Sequence, residues 1–164
     1  MPPCQGGGAS SILVSRSFMN NKTKSLVFDF FQIASMTFIF LTGPIIISNI
    51  ILLFFQMLAI FILFEAVWEM RRTKYYRVPD IGKQNELVKS GIYKYVRNPM
   101  YLSQLLFCAV LIINLFTLYR LIVYLIFLIN FIFKIQYEEK LLNTYFREFP
   151  TYKKTTWRLI PFVY

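Results

Sequence analysis

LVFDFFQIASMTFIFLTGPIIISNIILLFFQMLAIFILFEAVW, residues 26–68, holds two acids and no base in 43 positions. A single helix needs about 20 apolar residues to cross the bilayer hydrocarbon, so the run is long enough for two. The turn between them falls within Gly43-Pro44-Ile45-Ile46-Ile47-Ser48-Asn49, where Gly-Pro and Ser-Asn are both competent breakers. Asp29 lies one turn into the first helix and Glu65 one turn before the end of the second, which puts both at one membrane interface. Hydration or snorkelling accounts for them there without a catalytic role.

A second apolar block, Met100 to Gln136, is broken only at Thr117-Leu118-Tyr119-Arg120 and supplies two more short helices. The expected fold is therefore all-α: about four transmembrane helices, with one domain at residues 25–164 after a flexible tail at 1–24. That tail contains Gly6-Gly7-Gly8, which lacks the spacing of a phosphate-binding loop and reads as plain flexible chain. No small-x-small cleavage site stands out, and the first apolar run is expected to be a retained anchor. Asn49, Gln56, Asn114 and Asn130 punctuate the spans as helix-to-helix hydrogen bonders, and Cys108 reads as packing.

Composition agrees with lipid as the solvent. The 164 residues are 57% hydrophobic and 19% aromatic, more than a soluble globule of this size can hide. The net charge of +10 lies in blocks between apolar runs and not on one continuous face. It therefore points to anionic membrane lipid and not to nucleic acid.

The loop at 69–98 sets eight Lys and Arg against Glu69, Asp80 and Glu86, a net +5. Together with the tail, the C-terminal segment and the adjoining helix turn, it holds 17 of the 18 basic residues, and Arg120 alone is opposite. The positive-inside rule puts that basic side, with both termini, in the cytoplasm of a multi-pass protein of a bacterial inner membrane or the endoplasmic reticulum.

The chain has no His and two cysteines, Cys4 and Cys108, with no CxxC. A zinc site, a disulfide framework and a His-activated nucleophile are thereby excluded. Chemistry must come from carboxylates, Tyr, Lys and Arg. These collect in two places. One is Ser90 to Ser103, where a basic loop enters the second apolar block. The other is Tyr137-Glu138-Glu139-Lys140, where the fourth helix leaves the membrane. Successive helical residues point ~100° apart, so one of Glu138 and Glu139 can turn into the bundle while the other faces its flank or the loop. A plain reading also exists, a solvated face neutralised by Lys134 and Lys140. The closing segment mixes Phe146, Phe149, Tyr152, Trp157, Arg158 and Pro161; it can be an interfacial belt or a lid over a cofactor.

Gly91-Ile92-Tyr93-Lys94-Tyr95-Val96-Arg97-Asn98-Pro99-Met100-Tyr101-Leu102, then Glu138-Glu139-Lys140-Leu141-Leu142, then Phe146, Tyr152 and Arg158-Leu159-Ile160-Pro161, resembles the isoprenylcysteine carboxyl methyltransferase family, close relatives of the phospholipid methyltransferases. The resemblance covers about residues 75–161. It implies an integral membrane methyltransferase that uses S-adenosylmethionine without a Rossmann domain. The cofactor pocket is built from C-terminal helices and cytosolic segments, and the acceptor is lipophilic or prenylated. Carried over by position, Tyr93, Arg97, Asn98, Pro99, Tyr101, Glu138, Glu139 and Tyr152 bind the cofactor, and Glu139 and Arg158 act in catalysis. Asn98 stands where His is commoner, Ile92 for Pro and Ser103 for Gly, and no Gly follows Phe146. Membrane sterol and steroid reductases, which use NADPH, also carry Arg-x-Pro-x-Tyr and a close match to Arg158-Leu159-Ile160-Pro161-Phe162. Their pattern lacks the acidic pair. A non-catalytic four-helix membrane protein is the third reading.

Overall fold

The computed structural model describes residues 8–72 and 87–161, with side chains from residue 23 onward. Lys74, Arg77, Asp80, Lys83 and Glu86 of the basic loop lie outside the described residues, as do Cys4, Gly6 and Gly7. The described chain folds as helices α1 (Gly8–Leu41), α2 (Ile50–Arg72), α3 (Pro99–Asn114), α4 (Leu118–Tyr145) and α5 (Phe149–Thr155), with a 3-10 turn at Gly91–Lys94. The all-α expectation holds; extended pairing among the described residues is one isolated parallel bridge, Val96 with Trp157.

Residues 8–24 differ from the expected tail, because they are the first turns of α1. Beyond Gly8 nothing in that stretch breaks a helix. The membrane-length part of α1 is Thr23–Leu41, and α2 and α4 are likewise long and apolar enough to cross. α3 is the exception. Its 16 residues rise about 24 Å against a ~30 Å hydrocarbon layer. Three helices therefore have full spanning length, and the fourth is a shorter apolar helix.

Both candidate breakers of the first apolar run are used. α1 stops at Leu41, Gly43-Pro44 opens the turn, and Asn49 closes it by accepting from Ile51 N (3.0 Å) and Leu52 N (3.3 Å) at the start of α2. Asn49 is thus a helix cap and not the helix-to-helix contact expected. Gln56 also bonds the turn, donating to the Ile45 carbonyl at 2.6 Å. Asn130 does join two helices, through the Phe28 carbonyl of α1 at 3.1 Å.

α3 packs chiefly on α2, and α4 on α1. The core is a seam of Ile39, Tyr101, Leu105, Cys108, Leu111, Phe127, Phe131 and Ile135. Only 17% of the spanning windows of α1 and α2 is buried against 33% of α4, and α3 buries eight residues, Pro99, Tyr101, Ser103, Leu105, Cys108, Val110, Leu111 and Ile112, so α3 and α4 carry the interior while α1 and α2 show most of their surface to lipid. The 28 residues of α4 rise about 42 Å, which carries its last turns beyond the hydrocarbon. Those turns hold Glu138 and Glu139.

Arg120 is at the opposite end of the bundle, as its charge isolation implied, but it is not solvated. Its side chain is fully buried and donates to the Leu115 carbonyl at 2.6 Å and the Ile39 carbonyl at 3.3 Å. It closes the ends of α3 and α1 by satisfying carbonyls that a helix terminus leaves without intrahelical partners.

Candidate active site

Construction of the polar end starts at Asn98 and Pro99. Pro99 opens α3, where its missing N–H costs nothing. Asn98 precedes the helix without capping it, and its amide donates to the Arg158 carbonyl at 3.0 Å. The same segment pairs with the C-terminal one through Arg97 N to Trp157 O (2.8 Å) and Trp157 N to Tyr95 O (2.9 Å). Sixty residues apart in sequence, the two halves of the motif are joined by their backbones.

Upstream, Gly91 has φ +57°, a left-handed conformation that lets the turn double back, and an added Cβ would meet the Glu69 carboxylate at 3.0 Å. Glu69 is itself buried at the end of α2. The 3-10 turn therefore sits directly on α2. Its Tyr93 carbonyl accepts from the Tyr152 hydroxyl at 2.6 Å, inside the protein. Burial pushes the Tyr152 phenol well above its ordinary pKa, a rise that the nearby Arg97 charge only partly opposes.

The centre is Glu139. Arg97 Nε donates to its Oε1 at 3.1 Å, Arg158 Nη2 to its Oε2 at 2.8 Å, and Lys153 Nζ lies 3.8 Å from Oε2. The side chains of Glu139 and Arg97 are 7% and 8% exposed, and Arg158 is 20% exposed. Arg97 also donates through Nη1 to the Lys153 carbonyl (2.9 Å), the Thr156 carbonyl and the Thr156 hydroxyl (3.2 Å). One guanidinium thus ties α4 to α5 and to the strand-like segment after it.

Glu138 faces another way, as the 100° step requires. It is half-buried and accepts from the Tyr101 hydroxyl at 2.7 Å. Tyr101 is buried, packs on Phe131 with ring centroids 4.8 Å apart, and has Lys134 Nζ 5.1 Å from its own centroid. Ser103, where glycine is usual, turns its hydroxyl back to the Met100 carbonyl at 2.8 Å and is 2% exposed. It fits without opening the helix.

All nine sequence-derived site residues, Tyr93, Arg97, Asn98, Pro99, Tyr101, Glu138, Glu139, Tyr152 and Arg158, fall at this one end of the bundle. Three features were not foreseen. The first is Lys134, which the plain reading made a neutraliser of a solvated Glu138 face. It is 2% exposed and bonds Asp29 and Gln32 of α1, each at 2.6 Å. Asp29 is accordingly an ion-pair partner and not a merely snorkelling acid. The second is Gln104, which accepts from Gln32 at 2.7 Å and joins the network to α3. The third is Thr156, whose carbonyl and hydroxyl both receive Arg97.

A helical bundle with membrane-length apolar helices and an Arg–Glu–Arg cluster at its polar end defines a multi-pass membrane protein. Comparison by family gives it a narrower place. The model of the phospholipid methyltransferase family matches residues 46–148, more than half of the chain, and the chain belongs to that family. No curated protein and no solved structure matches the chain. The matched span takes in α2, α3, Arg97 to Tyr101 and the acidic pair, whereas α1, Tyr152 and Arg158 lie outside it. Membership gives a membrane methyltransferase.

Proposed function

We propose that the chain transfers a methyl group from S-adenosylmethionine to a lipophilic acceptor at the cytosolic face of a membrane. The observation that carries this is the Arg97–Glu139–Arg158 cluster beside the Tyr101–Glu138 pair. Its donors and acceptors suit a ligand that is itself zwitterionic. Arg158, the more open of the two guanidiniums, suits the amino-acid carboxylate. Glu138, the half-exposed acid, suits an ammonium or a ribose diol, and the partly exposed Trp157 ring suits a cationic sulfonium. Glu139 is the internal counter-charge that holds Arg97 and Arg158 in place, and so positions them.

S-adenosylmethionine supplies an electrophilic methyl for in-line displacement, and the protein's part is alignment and exclusion of water. Neither needs a protein nucleophile, which accords with a chain that has no His. The apolar outer faces of α2 and α3 leave the polar end reachable from the bilayer. Family membership favours a lipid amine as acceptor, while the Arg97 to Tyr101 motif also resembles enzymes that methylate a prenylcysteine carboxylate.

The test is binding of S-adenosylhomocysteine and of NADPH to the full chain in nanodiscs, followed by methyl incorporation into phosphatidylethanolamine or a farnesylcysteine. Expected is S-adenosylhomocysteine binding that Glu138→Gln/Glu139→Gln abolishes. Binding of neither compound by well-folded protein would overturn the enzymatic reading. Orientation is tested separately by impermeant maleimide on Thr117→Cys and Lys154→Cys variants in sealed cells; label on Lys154→Cys from outside would reverse the proposed topology.

A further inference from the structure

A hollow of about 500 Å³ opens beside α5, lined by Lys89, Lys94, Arg147, Glu148, Thr151 and Thr155, with buried Tyr152 and Thr156 at its base. Three cations face one carboxylate, and that carboxylate is ion-paired with Lys89. Thr151 and Thr155 stand four residues apart on α5, one helical turn, so both hydroxyls belong to the same face. The Thr155 hydroxyl donates to the Tyr152 carbonyl at 3.1 Å, so the lining offers ammonium and guanidinium donors and the Thr151 hydroxyl, with a local excess of two positive charges. This is the chemistry that recognises a phosphate oxyanion.

The hollow is chemically distinct from the proposed cofactor site. S-adenosylmethionine needs an acid for its ammonium, and the one carboxylate of this lining, Glu148, is already ion-paired with Lys89. Height along the bundle identifies the source of the anion. Tyr95, 64% exposed, stands beside the Val96–Trp157 bridge on the segment that carries Lys94, and an exposed Tyr of a membrane protein settles at headgroup level. We infer that the hollow formed by Lys89, Lys94, Arg147, Thr151 and Thr155 is a binding site for the phosphate of an anionic phospholipid headgroup. The lipid bound there need not be the methyl acceptor. Its phosphate bridges the segment before α3 to α5, the two pieces whose backbones meet behind Tyr152.

The test is lipid retention by native mass spectrometry. The full chain is exchanged into vesicles of phosphatidylcholine with either 10 or 0 parts per hundred phosphatidic acid. Each cation near such a surface contributes about five-fold in affinity. Lys94→Gln/Arg147→Gln should therefore retain phosphatidic acid about 25-fold less well than the unchanged chain. Glu148→Gln, which frees Lys89 from its ion pair, should retain it more strongly, an increase that misfolding cannot imitate. Equal retention by all three proteins overturns the site. Displacement of the lipid by millimolar inorganic phosphate, with phosphate alone stabilising the protein in detergent, overturns the lipid source and assigns the oxyanion site to soluble phosphate. The readout involves no methyl transfer, so it stands or falls apart from the proposed activity.

Discussion

The Lys134–Asp29 pair gives the sharpest test of how the bundle is held, because its two members are buried to different depths. The Lys134 side chain is 2% exposed and that of Asp29 is 39% exposed, with 2.6 Å between Nζ and Oδ1. Breaking a buried pair from one side costs about 3–5 kcal/mol, most of it the penalty of the charge left behind. The order of the two single substitutions then follows from which charge is left. Asp29→Ala strands the ammonium with the Gln32 side-chain carbonyl as its hydrogen-bond acceptor. Discounted for the partial hydration that Asp29 already has, this should cost about 2–3 kcal/mol. Lys134→Met leaves a carboxylate that water can reach and fills the same space with an apolar chain, at about 1 kcal/mol.

The double variant, with no charge to strand, should be more stable than Asp29→Ala alone by about 1–2 kcal/mol. Denaturant titration of the purified chain in mixed micelles, followed by helical circular dichroism, measures all three. A Lys134→Met protein less stable than Asp29→Ala, or a double variant with the summed loss of the singles, would refute the argument.

Three other substitutions probe separate parts of the structure. At the far end, a Cβ on Gly43 would stand 2.8 Å from Arg120 Nη1; since that guanidinium is fully buried, Gly43→Ala should cost about 1–3 kcal/mol, read as a lower melting temperature with S-adenosylhomocysteine affinity unchanged. At the site, Glu139→Gln removes the counter-charge of Arg97 and Arg158 and should weaken S-adenosylhomocysteine at least ten-fold by calorimetry, with Glu139→Asp recovering part of it. At α5, Tyr152→Phe loses the bond to the Tyr93 carbonyl, about 1–2 kcal/mol. The raised phenol pKa adds a pH signature: the folded phenol stays protonated where the unfolded one ionises, so its contribution is complete below pH ~10 and lost as pH climbs above it. Melting curves from pH 8 to 11 should therefore fall less steeply for Tyr152→Phe than for the unchanged chain.

What could be read from the chain depended on the range of the interaction. The Leu26–Trp68 run and the Gly43–Asn49 turn were legible because span length and backbone breakers are local properties. The separation of Glu138 from Glu139 followed from helical geometry alone. Arg97 meeting Glu139 is a contact across 42 positions, and only the resemblance to a motif pattern brought those residues together beforehand. Lys134 had no such guide. A lysine four residues before Glu138 looks like a surface partner until α1 is laid against α4, and neither spacing nor motif specifies that packing. The shortness of α3, by contrast, was legible as a local property: its apolar run meets the break at Thr117 after Leu115 and Phe116, and the helix ends at Asn114.

α4 explains why such contacts were hidden. Beside the buried Phe127, Phe131 and Ile135, several of its polar residues also turn inward. Arg120 reaches the ends of α1 and α3, Asn130 the Phe28 carbonyl, Lys134 the Asp29–Gln32 pair, Glu138 the Tyr101 hydroxyl and Glu139 the two arginines. Residues 130, 134 and 138 are one turn apart and form a single stripe. In lipid, apolar burial distinguishes helix partners poorly, because the tails are as apolar as leucine. Hydrogen bonds and small interlocking shapes must then fix the register. The α4 stripe therefore serves two purposes along one line: its inner members set how α1 and α3 seat on α4, and its outer members, one turn farther on, are the acids of the proposed site. A shift of α1 against α4 that broke Lys134 from Asp29 would move the lysine beneath the Tyr101 ring and, through Tyr101, the carboxylate of Glu138. The proposed site is thus linked to α1 through Lys134, although α1 lies outside the matched family span and supplies none of the motif residues.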